Sequence, residues 1–278
     1  MPRRFPLVSG IRYNRGRTWE GRLVWPKLIV FDVDGTLAET ERLGHRVAFT
    51  LAFREAGLPY EWGEALYGEL LRVSGGRERI RHFLEVYRPE DRVAAELLAD
   101  PERIAALHRR KNEIYAEIVR RGELPLRPGV RRLIEEARAA GIRLAVATTT
   151  SRENVEALLA HYGLAEAFEL LATAQEVPVK KPDPAVYRYV LEALGESPED
   201  ALAVEDSRNG LLAAVGAGIP TLVTPSTYTR GEDFTEAWLV LSDLGEPGAP
   251  ARDLRTGEEV VVTLPWLESR YSVRRRDP

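Results

Sequence analysis

Lys27–Glu39 reads KLIVFDVDGTLAE, and the fold is decided in these residues. The run Lys27–Asp32 is apolar, rich in β-branched residues and stopped by Asp and Gly, which predicts a short buried strand. Asp32 and Asp34 leave its carboxyl end two residues apart, where ligands of open α/β sheets bind. Two acids directly after an apolar strand are costly unless a cation pairs with them. Gly35 permits a sharp departure of the backbone, and Thr36 adds a hydroxyl.

Downstream, from Pro128, the pattern alternates. Helices are expected from Gly129 to Ala140, from Ser151 to Gly163, from Pro184 to Gly195 and over Leu211–Val215. Strands are expected at Ile142–Ala147, Phe168–Ala172, Ala201–Val204 and Thr221–Val223. Such alternation gives an α/β fold with a mostly parallel sheet covered on both faces. Between the first strand and this series lie residues 41–121. There Leu97, Leu98, Ile104, Leu107, Ile114, Ile118 and Val119 recur at helical spacing, with breaks at Pro59, Gly75–Gly76, Pro89 and Pro101. This predicts an all-helical insert with Tyr60, Trp62, Tyr67 and Tyr87 in its core. The core domain is then 27–40 with 122–245. Residues 1–26, with six arginines against Glu20, form a basic extension. After Leu244, GEPGAP reads as a linker, and 246–278 as a tail holding a short strand pair around Thr256–Gly257.

The net charge of −4 excludes a whole-surface nucleic-acid binder, so an anionic substrate must meet a local basic pocket. The absence of cysteine excludes disulfides, thiolate metal sites and cysteine nucleophiles. His45, His82, His108 and His161 lack ligand-like spacing, which argues against zinc. No apolar run is long enough to span a bilayer and no signal peptide is visible, so no membrane partner is expected and a cytoplasmic location is.

DxDGT after a strand resembles the first motif of the haloacid dehalogenase superfamily of phosphatases and phosphomutases. The resemblance implies that Asp32 attacks phosphorus and that Asp34 protonates the leaving group. Three further segments follow in that family's order. Thr148 matches the hydroxyl residue that holds a phosphoryl oxygen; Thr149 can offer a backbone N–H, while Thr150 or Ser151 caps the next helix. Lys181, in KKPDP, matches the lysine that offsets charge on the nucleophile and phosphoryl group. Two of only four lysines among 39 basic residues stand here. Glu205 and Asp206, in AVEDSRNG, match the motif that binds Mg²⁺, for which hard oxygen ligands are suited; Asp32 and Asp34 complete the expected ligand set. The structural alternative for Asp206 or Ser207 is an N-cap.

The segments ETERLGHRVAF, SGGRERI, LRPGV, RLAVATTTSRENVEALL, EDSRNGLLAA and VTPSTYTRGEDF are similar to the CbbY branch of this superfamily, from 27 to 245. Membership implies a helical cap over a Rossmann-like core. It also implies a Mg²⁺-dependent phosphatase acting on xylulose 1,5-bisphosphate, an inhibitory by-product of Rubisco, and so a functional link to Rubisco. Ser74 and Arg77 stand where that branch commonly has Thr and Lys. On the cap side Glu41, His45, Gly75, Gly76, Arg77 and Arg79 are the candidate substrate contacts; His45 could equally be a helix residue packed on Phe49. A β-phosphoglucomutase-like phosphomutase, a phosphoglycolate phosphatase, and a binding protein with a relic site are the alternatives.

Overall fold

A computed structural model describes residues 25–73 and 75–274; most of the basic extension, and Ser74, lie outside the described residues. Strand β1 (Leu28–Phe31) is followed by a π turn, Glu41–His45, that runs into α1 (Arg46–Glu55). Then come α2 (Glu64–Leu70), α3 (Gly76–His82), α4 (Arg92–Leu98) and α5 (Pro101–Arg120). The chain returns through α6 (Val130–Ala139), β2 (Arg143–Ala147), α7 (Arg152–His161), β3 (Leu170–Ala172), α8 (Ala185–Leu194), β4 (Ala201–Glu205), α9 (Arg208–Gly216) and β5 (Thr221–Val223). It closes with β6 (Leu239–Val240), β7 (Ala251–Arg252), β8 (Glu259–Val260) and α10 (Leu264–Arg274).

Six parallel strands stand in the order β3-β2-β1-β4-β5-β6. Successive strand residues point to opposite faces, so β1 feeds two cores. Ile29 and Phe31 join Leu144, Val146, Leu202 and Val204 against α6 and α7. Leu28 and Val30 join Ala145, Ala147, Ala201 and Ala203 against α8 and α9. Alanines dominate the second face, which lets those helices lie close to the sheet. The open, doubly covered sheet is the Rossmann-like core expected.

The helical segment has its own apolar cluster, including Phe49, Phe53, Tyr60, Trp62, Tyr67 and Phe83, with Tyr87 packed against it. Its longest helix, α5, starts cleanly because Asp100 accepts from Glu102 N at 3.1 Å and Arg103 N at 3.3 Å, with Pro101 in the first turn. The chain leaves and re-enters the sheet domain side by side: Glu39 N donates to Pro125 O, Arg127 N donates to Leu37 O, and Ala38 bridges Leu126.

Three expectations need correction. The helix expected at Leu211 begins at Arg208, because Ser207 accepts from Gly210 N at 3.2 Å and caps it. Strand β6 was not expected; it is two residues long, too short for any periodicity to show. The stretch 246–278 is more than a tail, since Val260, Val262, Leu264, Leu267 and Tyr271 are buried in the main core. The strand pair expected around Thr256–Gly257 is present as the antiparallel pair of β7 and β8. No described helix is long and apolar enough to cross a membrane.

Candidate active site

The carboxyl ends of β1, β2 and β4 converge on one point. Asp32 continues the ladder of β1, its N–H donating to Val204 O at 3.0 Å. Lys181 Nζ donates to Asp32 Oδ1 at 2.7 Å, to Glu205 Oε1 at 2.6 Å and to Ala147 O at 2.9 Å, using all three ammonium protons. Tyr187, from α8, donates its phenol to the same Glu205 oxygen at 2.5 Å, and Asp206 N donates to the other at 3.3 Å. Asp32, Glu205 and Asp206 are all buried, with ligand atoms within 4.8 Å of one another. The turn after β1 brings Gly35 against Asp206: its φ is +86°, and a Cβ there would collide with Asp206 Oδ2. Glycine is therefore required twice over, by conformation and by space.

Three buried carboxylates cluster beside one ammonium, which pairs with two of them. Burial pushes the carboxyl of Asp32 up, Glu205 and Asp34 add to this, and Lys181 opposes it. Burial pushes Asp206 well above the usual carboxylate range, reinforced by Asp32 and Glu205. For Lys181 burial acts downward, but Asp32 and Glu205 outweigh it and hold the ammonium charged. Such a surplus of buried negative charge is what a divalent cation would relieve, and an all-oxygen donor set suits Mg²⁺.

Asp34 does not join this group, although it was expected among the ligands. It lies beyond the strand, and its Oδ1 faces His45 Nε2 at 3.3 Å. His45 stacks on Tyr115 with centroids 3.9 Å apart, and its Nδ1 stands 2.8 Å from Lys111 Nζ. At that separation the two nitrogens share a hydrogen bond, so Lys111 stands directly behind the imidazole that faces Asp34. Burial alone would raise Asp34, but the charge and hydrogen bond of His45, helped by Thr40 and Thr150, hold it at about 2. Lys111 is pushed down to about 8 by burial; Glu41 and Asp34 pull upward and Arg79 downward. His45 thus faces the site rather than packing only on Phe49.

Thr148 is buried at the end of β2, its Oγ1 accepting from Thr150 N at 3.2 Å. Thr149 is exposed to the cleft. Ser151 occupies the N-cap position of α7 but makes no side-chain capping bond. On the cap side, Tyr67 donates to Glu41 Oε2 at 2.5 Å, and Arg79 donates to Tyr67 Oη at 3.1 Å and to Leu70 O at 3.2 Å. Arg79 is buried in this series, whereas Arg77 is exposed. Gly75, Gly76, Arg77, Arg79, Glu41 and His45 all line one cleft of about 1070 Å³ with Asp32, Asp34, Thr148, Thr149, Lys181 and Asp206. Of the predicted site residues only Glu205 is not on that wall; it sits behind Lys181.

Sequence reasoning missed Lys111, Tyr187 and Arg127. Lys111 had a signal: it interrupts the apolar stripe Leu107, Ile114, Ile118 of α5, where a lone lysine is out of place. Tyr187 looked like any core aromatic. Arg127 stands in LRPGV, one of the segments that carry the resemblance, but nothing in the sequence gave it a role.

A family model described as haloacid dehalogenase-like hydrolase matches residues 26–218. The chain is 48% identical over 225 residues to the plasmid protein CbbY of Cupriavidus necator, covering 80% of this chain and 87% of that one. Validoxylamine A 7'-phosphate phosphatase of Streptomyces hygroscopicus is 31% identical over 226 residues, covering 79% and 95%. Among solved structures, a CbbY mutant from Rhodobacter sphaeroides in complex with xylulose-(1,5)bisphosphate is 46% identical with a TM-score of 0.70, covering 80% of this chain and 96% of that one. By the motifs, the sheet and these agreements together, the chain belongs to the haloacid dehalogenase-like hydrolases and is an enzyme of the phosphoric monoester class.

Proposed function

We propose that the protein is a Mg²⁺-dependent phosphatase that hydrolyses a small sugar bisphosphate through a phosphoryl group carried on Asp32. The observation that carries this reading is the surplus of buried carboxylate around Lys181, facing a cleft lined on its other side by arginines. Asp32 and Asp206 would hold the ion; Glu205 already accepts from Lys181, Tyr187 and Asp206 N, and instead fixes the ammonium. Bound Mg²⁺ supplies charge that offsets repulsion between Asp32 and a phosphate dianion and stabilises the transferring oxygens.

The remaining chemistry belongs to side chains. Lys181 orients Asp32 for attack on phosphorus, and Thr148 and the Thr149 N–H hold phosphoryl oxygens. The ester oxygen leaves with a proton from Asp34. At rest Asp34 is ionised; the substrate's negative charge favours its protonation, and His45, within hydrogen-bond distance of Asp34 and backed by Lys111, is the neighbour that supplies the proton. Asp34 then takes a proton from the water that attacks the phosphoryl group on Asp32.

Xylulose 1,5-bisphosphate is the substrate that the CbbY resemblance favours, which would place the enzyme beside Rubisco. Arg77, exposed at the cleft, would meet the distal phosphate, and Arg79 would back it from the cap core. The test is phosphate release from sugar mono- and bisphosphates with Mg²⁺. A bisphosphate preference is expected, with loss of at least about a thousandfold in Asp32→Asn. Release by that variant within tenfold of wild type, or full activity after exhaustive chelation, would refute the mechanism. Arg77→Ala should lose more on bisphosphates than on monophosphates; equal losses remove the distal contact.

A further inference from the structure

Gly68 sits inside α2, flanked on both sides by helical residues. Glycine in a helix interior costs about 1 kcal/mol relative to alanine, and here it faces Tyr228, from the loop after β5. A Cβ on Gly68 would stand 3.1 Å from Tyr228 Cδ1 and 3.6 Å from Cε1, tighter than ordinary contact, so any side chain there would press the ring aside. The same ring meets Tyr67 edge to face, with centroids 5.6 Å apart and planes at 67°. A residue of the sheet domain thus rests on the bare backbone of a cap helix.

The loop that carries Tyr228 also reaches the acidic centre. Thr229 Oγ1 donates to Asp206 O at 2.6 Å, while accepting from Ser226 N at 2.8 Å. Two neighbouring residues of one tight loop therefore touch the cap and the carboxylate cluster. On the cap side the contact continues through Tyr67 to Glu41 and Arg79.

We infer that Tyr228 is a positioning residue: seated on Gly68, it sets the cap over the cleft and, through Thr229, holds the backbone of Asp206 in register with it. This rests on the phosphatase reading above. A substrate gripped by both cap and core depends on that seat, and a phosphate donor too small to reach the cap does not.

The test uses Gly68→Ala and Gly68→Leu, both of which improve intrinsic helix propensity, with xylulose 1,5-bisphosphate and acetyl phosphate as probes. Gly68→Leu is expected to lower kcat/KM for the bisphosphate about tenfold or more, with Gly68→Ala between it and wild type. Acetyl phosphate turnover stays within about twofold, and the melting temperature does not fall. Adding Tyr228→Ala to Gly68→Leu causes no further loss, because both changes remove one contact. Hydrogen exchange in Ser226–Thr229 rises in Gly68→Leu. Equal losses on both probes, additive losses in the double variant, or unaltered exchange each overturn the inference. Wild-type protein that hydrolyses neither probe overturns the phosphatase reading instead, and the exchange measurement still decides the seat.

Discussion

Lys181 stands between Asp32 and Glu205 with every ammonium proton in use. Removing it leaves two buried carboxylates facing each other, and breaking such a pair costs about 3–5 kcal/mol. Lys181→Met is therefore expected to melt well below wild type in chelator and to gain more from added Mg²⁺ than wild type does. Equal melting temperatures in chelator would show that the ammonium carries no such load. A second residue gives a pH signature. His108, beside Gly76, is pushed down to about 4 by burial, with Lys111 and Arg77 adding to it, from an ordinary value of 6.5. Between those values the unfolded chain takes a proton that the folded chain refuses, so stability is intact above the upper value and declines as pH falls towards the lower. His108→Gln should flatten that decline in melting temperature; an unchanged profile removes His108 as its source. Asp32 and Asp34 were legible because they break the pattern at the end of an apolar strand, whereas Thr148 and Lys181 were legible through the resemblance to the family's motifs. The residues that position them were harder to read: Tyr187 gave no sign and Lys111 only that of a lysine in an apolar stripe, because they act through tertiary neighbours 18 and 66 positions away.

Among elements, the turn after β1 and the loop after β5 are joined by one side chain. Arg127, at the return connection from the cap, donates to Gly35 O at 2.5 Å, to Thr224 O, and to Thr224 Oγ1 at 3.2 Å. It also donates to Pro225 O at 3.1 Å and Ser242 O at 3.0 Å. Its Nε lies 3.6 Å from Glu39, on the outgoing connection. The guanidinium thus fixes the sheet side of both connections. Each buried carbonyl left without a donor costs about 1–3 kcal/mol, and methionine would orphan several while filling similar space. Melting temperatures should rank wild type, then Arg127→Lys, then Arg127→Met, since an ammonium recovers some of the bonds but not the fork. Arg127→Met as stable as Arg127→Lys would show that shape rather than donors matters there. The alternation of apolar runs and Gly or Pro stops made the central strands readable, since burial on both faces writes itself as unbroken apolar sequence. Edge strand β6 and the true start of α9 were hidden. The first is set by pairing with β5, the second by the cap that Ser207 provides.

At the scale of the whole molecule, the family model ends at residue 218 while the fold does not. Arg132 of α6 donates to Leu244 O at 3.1 Å, Gly245 O at 2.7 Å and Val262 O at 2.7 Å, drawing the C-terminal segment onto the sheet. Tyr271 of α10 stacks on Trp25 with centroids 3.7 Å apart and planes at 7°, and both donate to Glu199 O. Composition made 246–278 look like a linker and tail because its apolar residues are few and irregularly spaced. They count because five of them are placed in the main core. Burying Val260, Val262, Leu264, Leu267 and Tyr271 is worth about 1.5–3 kcal/mol each, a sum comparable with the whole stability of an ordinary domain. Deleting residues 246–278 should therefore abolish the cooperative thermal transition, even though none of the proposed catalytic residues is removed. Tyr271→Ala, which leaves the segment in place, should cost about 3–5 kcal/mol and leave the Mg²⁺ response of the melting temperature intact. A truncated protein that melts cooperatively near the wild-type temperature would restore the reading of this segment as a tail.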